Sequence, residues 1–512
     1  MKRAAFHNLG CKVNSYELDI MRQKMEKSGY SIVPFEEEAD VYVINTCTVT
    51  NIADRKSRQM IHKAKKRNPD AVVIAVGCYV ETDPERVGTD SAIDLAIGNN
   101  NKARIAELLD EFLNIDKDDD ALSGAADDDI GAGDGKSAAA GSDTGTGDGK
   151  SAAGAHSVRR SNRDRRTLGG RTMTDLTHRP QYEDMQLEDP GHTRAFVKIQ
   201  DGCNQFCSYC IIPYARGRIR SRRPGEILKE IRTIAGKGIR EVVLTGIHVS
   251  SYGLEWDART DNVPFDPLKS GAFLLDLMEE IRKIPGIERI RLSSLEPRIM
   301  TEEFVKGIAG MPEVCPHFHL SLQSGCNVTL RRMNRHYTAE EFMESVKLLR
   351  RYYEQPAITT DVIVGFPGES EAEFEETVKF LEEVNFYEMH VFKYSVRKGT
   401  VAAKLPVQIP DPVKGVRSDV LLEMTERQSK DYRSRFIGKP EELLLEEIIQ
   451  TPEGACWRGH TKRYVEGYIP CDSDSAQQFG PGQLVRGSFT GVVEGASALM
   501  FHAHVERAEK MG

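Results

Sequence analysis

The sequence has 512 residues, of which 39% are hydrophobic and 29% are charged, with a formal net charge of −9. This length predicts three or four domains of about 100–200 residues each. No stretch approaches the roughly 18–20 apolar residues of a membrane span, and the beginning, MKRAAFHNLGCKVN, lacks the apolar core of a signal peptide. We therefore expect neither a membrane-embedded nor a secreted protein, and predict a cytoplasmic one.

Residues 1–113 alternate short apolar runs with helical patterns, which predicts an α/β domain with a doubly wound parallel sheet. The predicted strands are Arg3–His7, Asp40–Asn45, Ala71–Val76 and Ala92–Ile97. The predicted helices are Ser15–Ser28, Ala53–Lys66 and Lys102–Leu113.

Three cysteines of this first domain, Cys11, Cys47 and Cys78, each come just past the carboxyl end of a predicted strand or at its edge. The carboxyl ends of parallel strands share one edge of a sheet, where ligands usually bind. We therefore expect the three thiols to converge and to hold a metal cluster. The alternative is three ordinary core cysteines, since cysteine is common in protein interiors.

Residues 114–188 are predicted to be a linker that is acidic at first and then basic. Residues 114–157 hold ten Asp and three Lys, so this segment carries most of the negative charge of the chain. It repeats GDGKSAA and has few large apolar side chains, a composition typical of disorder. The global charge therefore says little about the surfaces of the folded domains.

Residues 189–436 contain six consecutive strand–helix units, which predict a partial (β/α)6 barrel resembling a TIM barrel, with its chemistry at the carboxyl ends of the strands. The predicted strands are Ala195–Gln200, Glu241–Ile247, Arg289–Ser294, His317–Leu322, Ile358–Gly365 and Glu388–Ser395. Residues 437–508 change to short strands with glycine-rich turns, which predict a small all-β barrel.

The motif Cys203-Asn-Gln-Phe-Cys207-Ser-Tyr-Cys210 directly follows the first strand of the predicted barrel. Three thiolates at this spacing can hold three irons of a 4Fe–4S cluster and leave the fourth iron open. A structural zinc site normally needs four ligands, and no Cys or His follows closely after Cys210. A zinc site or unliganded thiols are the alternatives.

With this motif in this position, residues 192–435 resemble the radical S-adenosylmethionine superfamily. The resemblance implies that the open iron binds S-adenosylmethionine, that the enzyme cleaves it to a 5′-deoxyadenosyl radical, and that Tyr209 lies near the adenine. Further motifs, spread over nearly the whole chain, resemble the methylthiotransferase family: HNLGCKVN, NTCTVT, VGCY, CNQFCSYC, ARGRIRSR, LTGIHVSSYG, SSLEP, HLSLQSG, DVIVGFPGE and FKYSVRKGT. The C-terminal barrel resembles a TRAM domain, an OB-like RNA-binding module.

The family resemblance implies a second 4Fe–4S cluster on Cys11, Cys47 and Cys78, which carries the sulfur. It also implies radical sulfur insertion at C2 of an adenine in tRNA, with methylation by S-adenosylmethionine. LGCKVN and INTCTVTN are similar to the bacterial branch that acts on N6-threonylcarbamoyladenosine at tRNA position 37. The alternatives are the isopentenyladenosine branch, the branch that modifies a ribosomal-protein aspartate, and a non-catalytic iron–sulfur RNA-binding protein.

Polar and aromatic residues near strand ends are candidate contacts of S-adenosylmethionine, although packing at the barrel mouth explains each equally well. They are Tyr209, Gly246, Ser293, Ser294, Glu296, Gln323, Asp361 and Tyr394. The expected partners are a tRNA anticodon stem-loop and an electron donor such as flavodoxin or ferredoxin, with no membrane. Cationic side chains that could meet RNA phosphates are Arg216, Arg218, Arg220, Lys462 and Arg463, as well as a basic run at Arg55–Arg67.

Overall fold

The computed structural model describes residues 2–124, 182–183, 185–471 and 479–503. Most of the predicted 114–188 linker and the end of the predicted C-terminal domain, 504–508, lie outside the described residues. Three folded parts follow one another along the chain, and among the described residues no helix is both long and apolar enough to cross a bilayer.

The N-terminal part is a five-stranded parallel sheet with the order β2-β1-β3-β4-β5. Apolar cores cover both faces of the sheet, because alternate residues of the buried strands point to opposite sides. The strands are β1 Arg3–Asn8, β2 Ser31–Val33, β3 Val41–Thr46, β4 Val72–Gly77 and β5 Leu95–Ile97. The helices are α1 Lys12–Lys27, α2 Asn51–Arg67, α3 Cys78–Thr82, α4 Pro84–Thr89 and α5 Ile105–Gly124. The sequence missed β2, α3 and α4, which are too short to show a period.

The central part is a partial barrel of six parallel strands in chain order, β6-β9-β10-β11-β12-β13. Its two three-stranded halves are joined by parallel bridges, Ile290 with Val314 and Leu295 with Leu320. The six strands are β6 Arg194–Lys198, β9 Glu241–Thr245, β10 Arg289–Leu292, β11 His317–His319, β12 Ala357–Val364 and β13 Glu388–Lys393. A small antiparallel pair at the cysteine loop comprises β7 Gln200–Asp201 and β8 Arg220–Ser221.

Helices cover the outside of this barrel, and capping boxes at Thr338 and Ser370 fix two of their starts. They are α6 Ile212–Arg216, α7 Pro224–Ala235, α8 Pro267–Ile281, α9 Glu302–Ala309, α10 Asn327–Arg332, α11 Ala339–Tyr352, α12 Glu371–Val384 and α13 Asp411–Ser434. All six predicted strand–helix units are present.

The C-terminal part is a closed barrel with the strand order β14-β15-β16-β18-β17. Its strands are β14 Pro440–Thr451, β15 Gly454–His460, β16 Glu466–Pro470, β17 Leu484–Val492 and β18 Leu499–Ala503. The predicted all-β architecture is confirmed, and its assignment as a TRAM domain stays a prediction.

The described residues extend into both ends of the predicted 114–188 linker, whose boundaries stay a prediction. Helix α5 continues to Gly124, and its apolar residues up to Leu113 pack on the sheet. At the other end Met185 and Leu187 are buried against α1. The Tyr16 hydroxyl donates to the Met185 carbonyl at 2.8 Å. The segment that enters the barrel is therefore part of the contact between the first two domains.

Candidate active site

Cys11, Cys47 and Cys78 follow β1, β3 and β4, three neighbouring strands of the N-terminal sheet. The sequence places each at a strand end, and the strand order brings the three ends side by side. Gly10 has a φ of +113°, and a Cβ atom at this position would lie 3.1 Å from the Cys47 sulfur. A glycine is needed here because the loop that carries Cys11 passes directly over Cys47.

The environment of these thiols fits a bound metal cluster. Burial raises the pKa of the Cys47 thiol to about 12, and Cys78 and Cys11 add to this shift. A thiol of this kind stays protonated until a cation stabilises its thiolate. The Asn99 side-chain amide donates to the Cys78 sulfur at 3.5 Å, an interaction typical of sulfurs that ligate iron.

The second group of thiols lies on the loop between β7 and β8. The Gln205 backbone N–H donates to the Cys203 sulfur at 3.4 Å, and the Arg335 guanidinium donates to the Cys207 sulfur at 3.2 Å. Burial, with the nearby Cys207, raises the pKa of Cys210 to about 12. Donors aimed at sulfur and thiols that need a cation to ionise fit an iron–sulfur cluster.

Neither group of cysteines is compact enough for a single ion. Among the described residues, the one set of ligand atoms that all lie within 4.8 Å of one another is His319, Asp361 and His390. A four-iron cluster takes each thiolate on a different iron and so needs a wider arrangement. The donor types and their spacing therefore favour clusters over a mononuclear zinc site.

All three domains line one cavity of about 540 Å³ inside the central barrel. Cys11 and Lys12 reach it from the N-terminal sheet, and Tyr464 closes it from the C-terminal barrel. Four of the predicted cofactor contacts line it: Gly246, Ser293, Ser294 and Asp361. A cavity of this size accommodates a nucleoside or a cofactor of similar size.

The other four predicted cofactor contacts do not line this cavity. Glu296 is buried and pairs with His248 at 3.0 Å and with Arg298. Gln323 has a φ of +73° and forms a parallel bridge with Val362 of β12. Tyr209 and Tyr394 pack edge-on against Phe366, with ring centres 6.4 and 5.4 Å away. Their contact with S-adenosylmethionine stays a prediction.

The predicted RNA contacts Arg216 and Arg220 are wrong, because both side chains are buried between the first two domains. Arg216 has no solvent exposure and pairs with Glu17 at 2.9 Å and with Asp201 at 3.3 Å. Arg220 pairs with Asp201 at 3.1 Å. Arg218 is half-buried and stacks on Phe206, so it alone of the three keeps access to solvent.

Lys462 and Arg463 attach the C-terminal barrel to the central one. The Lys462 ammonium donates to the Pro312 carbonyl at 2.9 Å. Arg463 pairs with Glu441 at 3.1 Å and donates to the Glu354 carbonyl. These contacts give both residues a role in domain docking, and their predicted contact with RNA has no support in the structure.

Several polar residues of the cavity were not predicted from the sequence, among them Lys12, His317, His319 and His390. Residues 317 and 319 alternate on β11 and so point to the same side, and Lys12 directly follows a candidate cluster ligand. Both signals were visible in the sequence. Without the barrel geometry, they could not be assigned to one cavity.

Comparisons with known proteins agree with this geometry. Residues 197–381 match the Radical SAM superfamily, and residues 3–98 match the Uncharacterized protein family UPF0004. The threonylcarbamoyladenosine tRNA methylthiotransferase MtaB of Bacillus subtilis is 34% identical, covering 91% of this chain and 90% of the relative. MtaB of Aquifex aeolicus is 36% identical, covering 87% and 93%.

A relative whose name gives a different nucleoside is nearly as similar in sequence. The tRNA-2-methylthio-N(6)-dimethylallyladenosine synthase of Moorella thermoacetica is 32% identical, covering 89% of this chain and 90% of the relative. The matched domains and these relatives have one enzyme type in common, a radical S-adenosylmethionine enzyme that transfers a methylthio group. The chain belongs to the radical S-adenosylmethionine methylthiotransferase family, whose cluster-bearing superfamily domain it contains.

Proposed function

We propose that this protein converts N6-threonylcarbamoyladenosine at position 37 of tRNA to its 2-methylthio derivative. The observation that carries the proposal is the shared cavity, in which Cys11 of the N-terminal cysteine group faces the interior of the radical S-adenosylmethionine barrel. A base held in that cavity is within reach of both domains. The names of the MtaB relatives support the choice of nucleoside.

The cofactors of this reaction are S-adenosylmethionine and two 4Fe–4S clusters. Cys203, Cys207 and Cys210 would hold the cluster that supplies the electron for cleavage of S-adenosylmethionine. Cys11, Cys47 and Cys78 would hold the second cluster, and with three protein ligands one iron would stay free for a sulfur atom. A flavodoxin or ferredoxin is the expected electron donor, and the C-terminal barrel, as a TRAM domain, contributes to RNA binding.

The tRNA partner has a candidate surface on helix α2, which begins shortly after Cys47. Arg55, Lys56, Lys63 and Lys66 are exposed along this helix. Its first turn contacts the barrel, where the Asn51 N–H donates to the Ser395 hydroxyl at 3.0 Å and Arg397 pairs with Asp54 at 2.7 Å. A basic helix fixed beside the barrel suits the phosphates of an anticodon stem-loop.

Reversing three charges on this helix tests the surface. We expect the triple variant Lys56→Glu, Lys63→Glu and Lys66→Glu to weaken tRNA binding. The slope of log K against log salt should fall by about one per lost phosphate contact. Filter binding at several salt concentrations measures both the affinity for tRNA and its dependence on salt. The matched control reverses three exposed lysines of the barrel's outer surface, Lys229, Lys237 and Lys306. Equal losses in both triples would contradict the proposed surface.

The direct test of function is a nucleoside assay. The protein is reconstituted with iron and sulfide under anaerobic conditions and incubated with reductant, S-adenosylmethionine and tRNA that carries threonylcarbamoyladenosine or isopentenyladenosine. Digested nucleosides are then identified by mass spectrometry. We expect the 2-methylthio derivative of threonylcarbamoyladenosine. If only isopentenyladenosine is methylthiolated, that nucleoside replaces threonylcarbamoyladenosine as the proposed substrate. If 5′-deoxyadenosine forms without any change in the tRNA, the substrate is to be sought among proteins.

Methylthiolation of dimethylallyladenosine is the second candidate function, because a relative with that name is 32% identical over most of the chain. The two substrates share the adenine and differ in the group on N6. The dimethylallyl group is a hydrocarbon, whereas the threonylcarbamoyl group ends in a carboxylate. The charge of the cavity therefore bears on the choice between them.

A further inference from the structure

The barrel cavity has more charge than the reaction at an adenine carbon requires. Its lining includes three strong cations, Lys12, Arg194 and Arg291, and two carboxylates, Asp361 and Glu388. His317, His319 and His390 also face it. Apolar side chains that could enclose a hydrocarbon group are few: Val13, Phe196 and Val243.

Most of these charges are already paired. Arg291 contacts Glu241 at 2.8 Å, Arg194 contacts Glu446 at 3.2 Å, and Asp361 lies 3.3 Å from His319. Glu388 is exposed at the first residue of β13. Lys12 is open to the cavity and forms no ion pair with any residue of the described part of the chain.

Lys12 lines the same cavity as the cations Arg194 and Arg291. Arg194 also has a buried nitrogen, Nη1, without a hydrogen-bond partner among the described residues. An ammonium that faces a cavity without an ion-pair partner is unfavourable, and a bound anion offsets this cost. The geometry favours a ligand that brings a negative group to Lys12.

We propose that Lys12, assisted by Arg194, binds the carboxylate of the N6-threonylcarbamoyl group and thereby selects this nucleoside over one with a hydrocarbon on N6. The inference rests on the proposed function. Lys12 acts here as a specificity residue and takes no part in bond breaking. S-adenosylmethionine also has a carboxylate, so the test must separate the two sources of this group.

The test replaces Lys12 with glutamine, which has a similar length and no charge. Binding of reconstituted protein to synthetic anticodon stem-loops is measured by fluorescence anisotropy, with threonylcarbamoyladenosine, isopentenyladenosine or plain adenosine at position 37. S-adenosylmethionine binding is measured in parallel by equilibrium dialysis. Lys24→Gln is the matched control, because Lys24 is exposed on the same helix and lies outside the cavity. Lys12→Arg keeps the charge and should preserve the preference.

We expect Lys12→Gln to weaken binding of the threonylcarbamoyl stem-loop by about 10-fold or more, the usual effect of losing a charge-assisted hydrogen bond. Binding of the other two stem-loops and of S-adenosylmethionine should stay as in the wild type. An equal loss for all three RNAs would indicate a phosphate contact. A loss confined to S-adenosylmethionine would assign the carboxylate to the cofactor. Either result, or no change, overturns the proposal.

A further readout separates a loss of ligand binding from a failure to assemble the cluster. Iron content is measured for each variant, because Lys12 neighbours Cys11. If Lys12→Gln fails to load iron, Arg194→Gln, on the barrel wall, takes its place in the same comparison. A wild-type protein that prefers the isopentenyl stem-loop would refute the proposed function itself. A wild-type preference for the threonylcarbamoyl stem-loop that survives in Lys12→Gln would refute only the inference.

Discussion

Glu17→Gln is expected to lower the free energy of unfolding by about 3–5 kcal/mol, because it leaves three buried cations without their shared carboxylate. Glu17 is fully buried and contacts Lys102 at 2.5 Å, Lys198 at 2.6 Å and Arg216 at 2.9 Å. Lys198 and Arg216 belong to the central domain. The loss therefore falls on the contact between the first two domains.

The same network predicts a pH dependence. Burial disfavours the ionised form of Glu17, but Arg216, Lys102 and Lys198 outweigh burial and hold its pKa well below the ordinary value. In the unfolded chain this pKa is about 4.3. A carboxylate whose pKa is lower in the folded than in the unfolded chain stabilises the fold fully at pH values above its unfolded pKa. This stabilisation is lost as the pH falls below the unfolded pKa and through the folded pKa. The difference between wild type and variant should therefore shrink below about pH 4.

Denaturant unfolding of reconstituted protein, followed by circular dichroism at several pH values, measures both effects. The control is Glu107→Gln, which removes an exposed ion pair with Arg104 at 2.8 Å and should cost less than about 1 kcal/mol. Equal destabilisation in the two variants would contradict the prediction, as would a difference that does not depend on pH.

The Glu17 network also connects the two groups of cysteines. Arg216 comes shortly after Cys210 and donates to the Asn14 side-chain oxygen at 2.7 Å. The Asn14 amide donates to the carbonyls of Leu9 and Thr46, which flank the Cys11 and Cys47 loops. One buried arginine therefore fixes the loops of both cysteine groups relative to each other.

The barrel could be predicted from the sequence because each strand is a short apolar run followed by an amphipathic helix. The run predicted at Glu241–Ile247 forms a strand over Glu241–Thr245, and its five residues are buried. The three cysteines of the N-terminal domain could be brought together for a similar reason. Each follows a strand, and parallel strands end at one edge.

The pairing of charges could not be predicted in this way. Arg216 and Glu17 are 199 positions apart and belong to different domains. A run of arginines has the same appearance in a sequence whether water or buried carboxylates surround it. The contacts of Lys462 and Arg463 with backbone carbonyls of the central domain were equally hidden from the sequence. Local patterns predicted the elements and the candidate ligand cysteines, whereas charge partners depended on how the domains pack.

Cys47→Ala is expected to abolish the methylthio product while leaving the cleavage of S-adenosylmethionine intact. Cys47 belongs to the N-terminal group of thiols, with its loop held by a hydrogen bond from the Cys47 N–H to Ser57 at 3.2 Å. The Cys203, Cys207 and Cys210 loop is held by separate contacts from the central domain, among them Arg335. Loss of one thiol should therefore empty one cluster site and spare the other.

Three measurements on one preparation decide this prediction: iron content, 5′-deoxyadenosine, and the methylthio nucleoside of digested tRNA. Iron should fall to about half in Cys47→Ala, consistent with loss of one of two clusters. Cys326→Ala is the matched control, because Cys326 is a fully buried cysteine away from both groups and should keep all three signals. Cys207→Ala should lose 5′-deoxyadenosine together with the product.

Methylthiolated tRNA from Cys47→Ala would refute a sulfur-carrying role for the N-terminal thiols. Loss of 5′-deoxyadenosine in Cys47→Ala would mean that the two sites depend on each other for assembly. Cys47→Ala leaves the Arg216 and Asn14 contacts between the two loops in place, so we expect the second site to assemble.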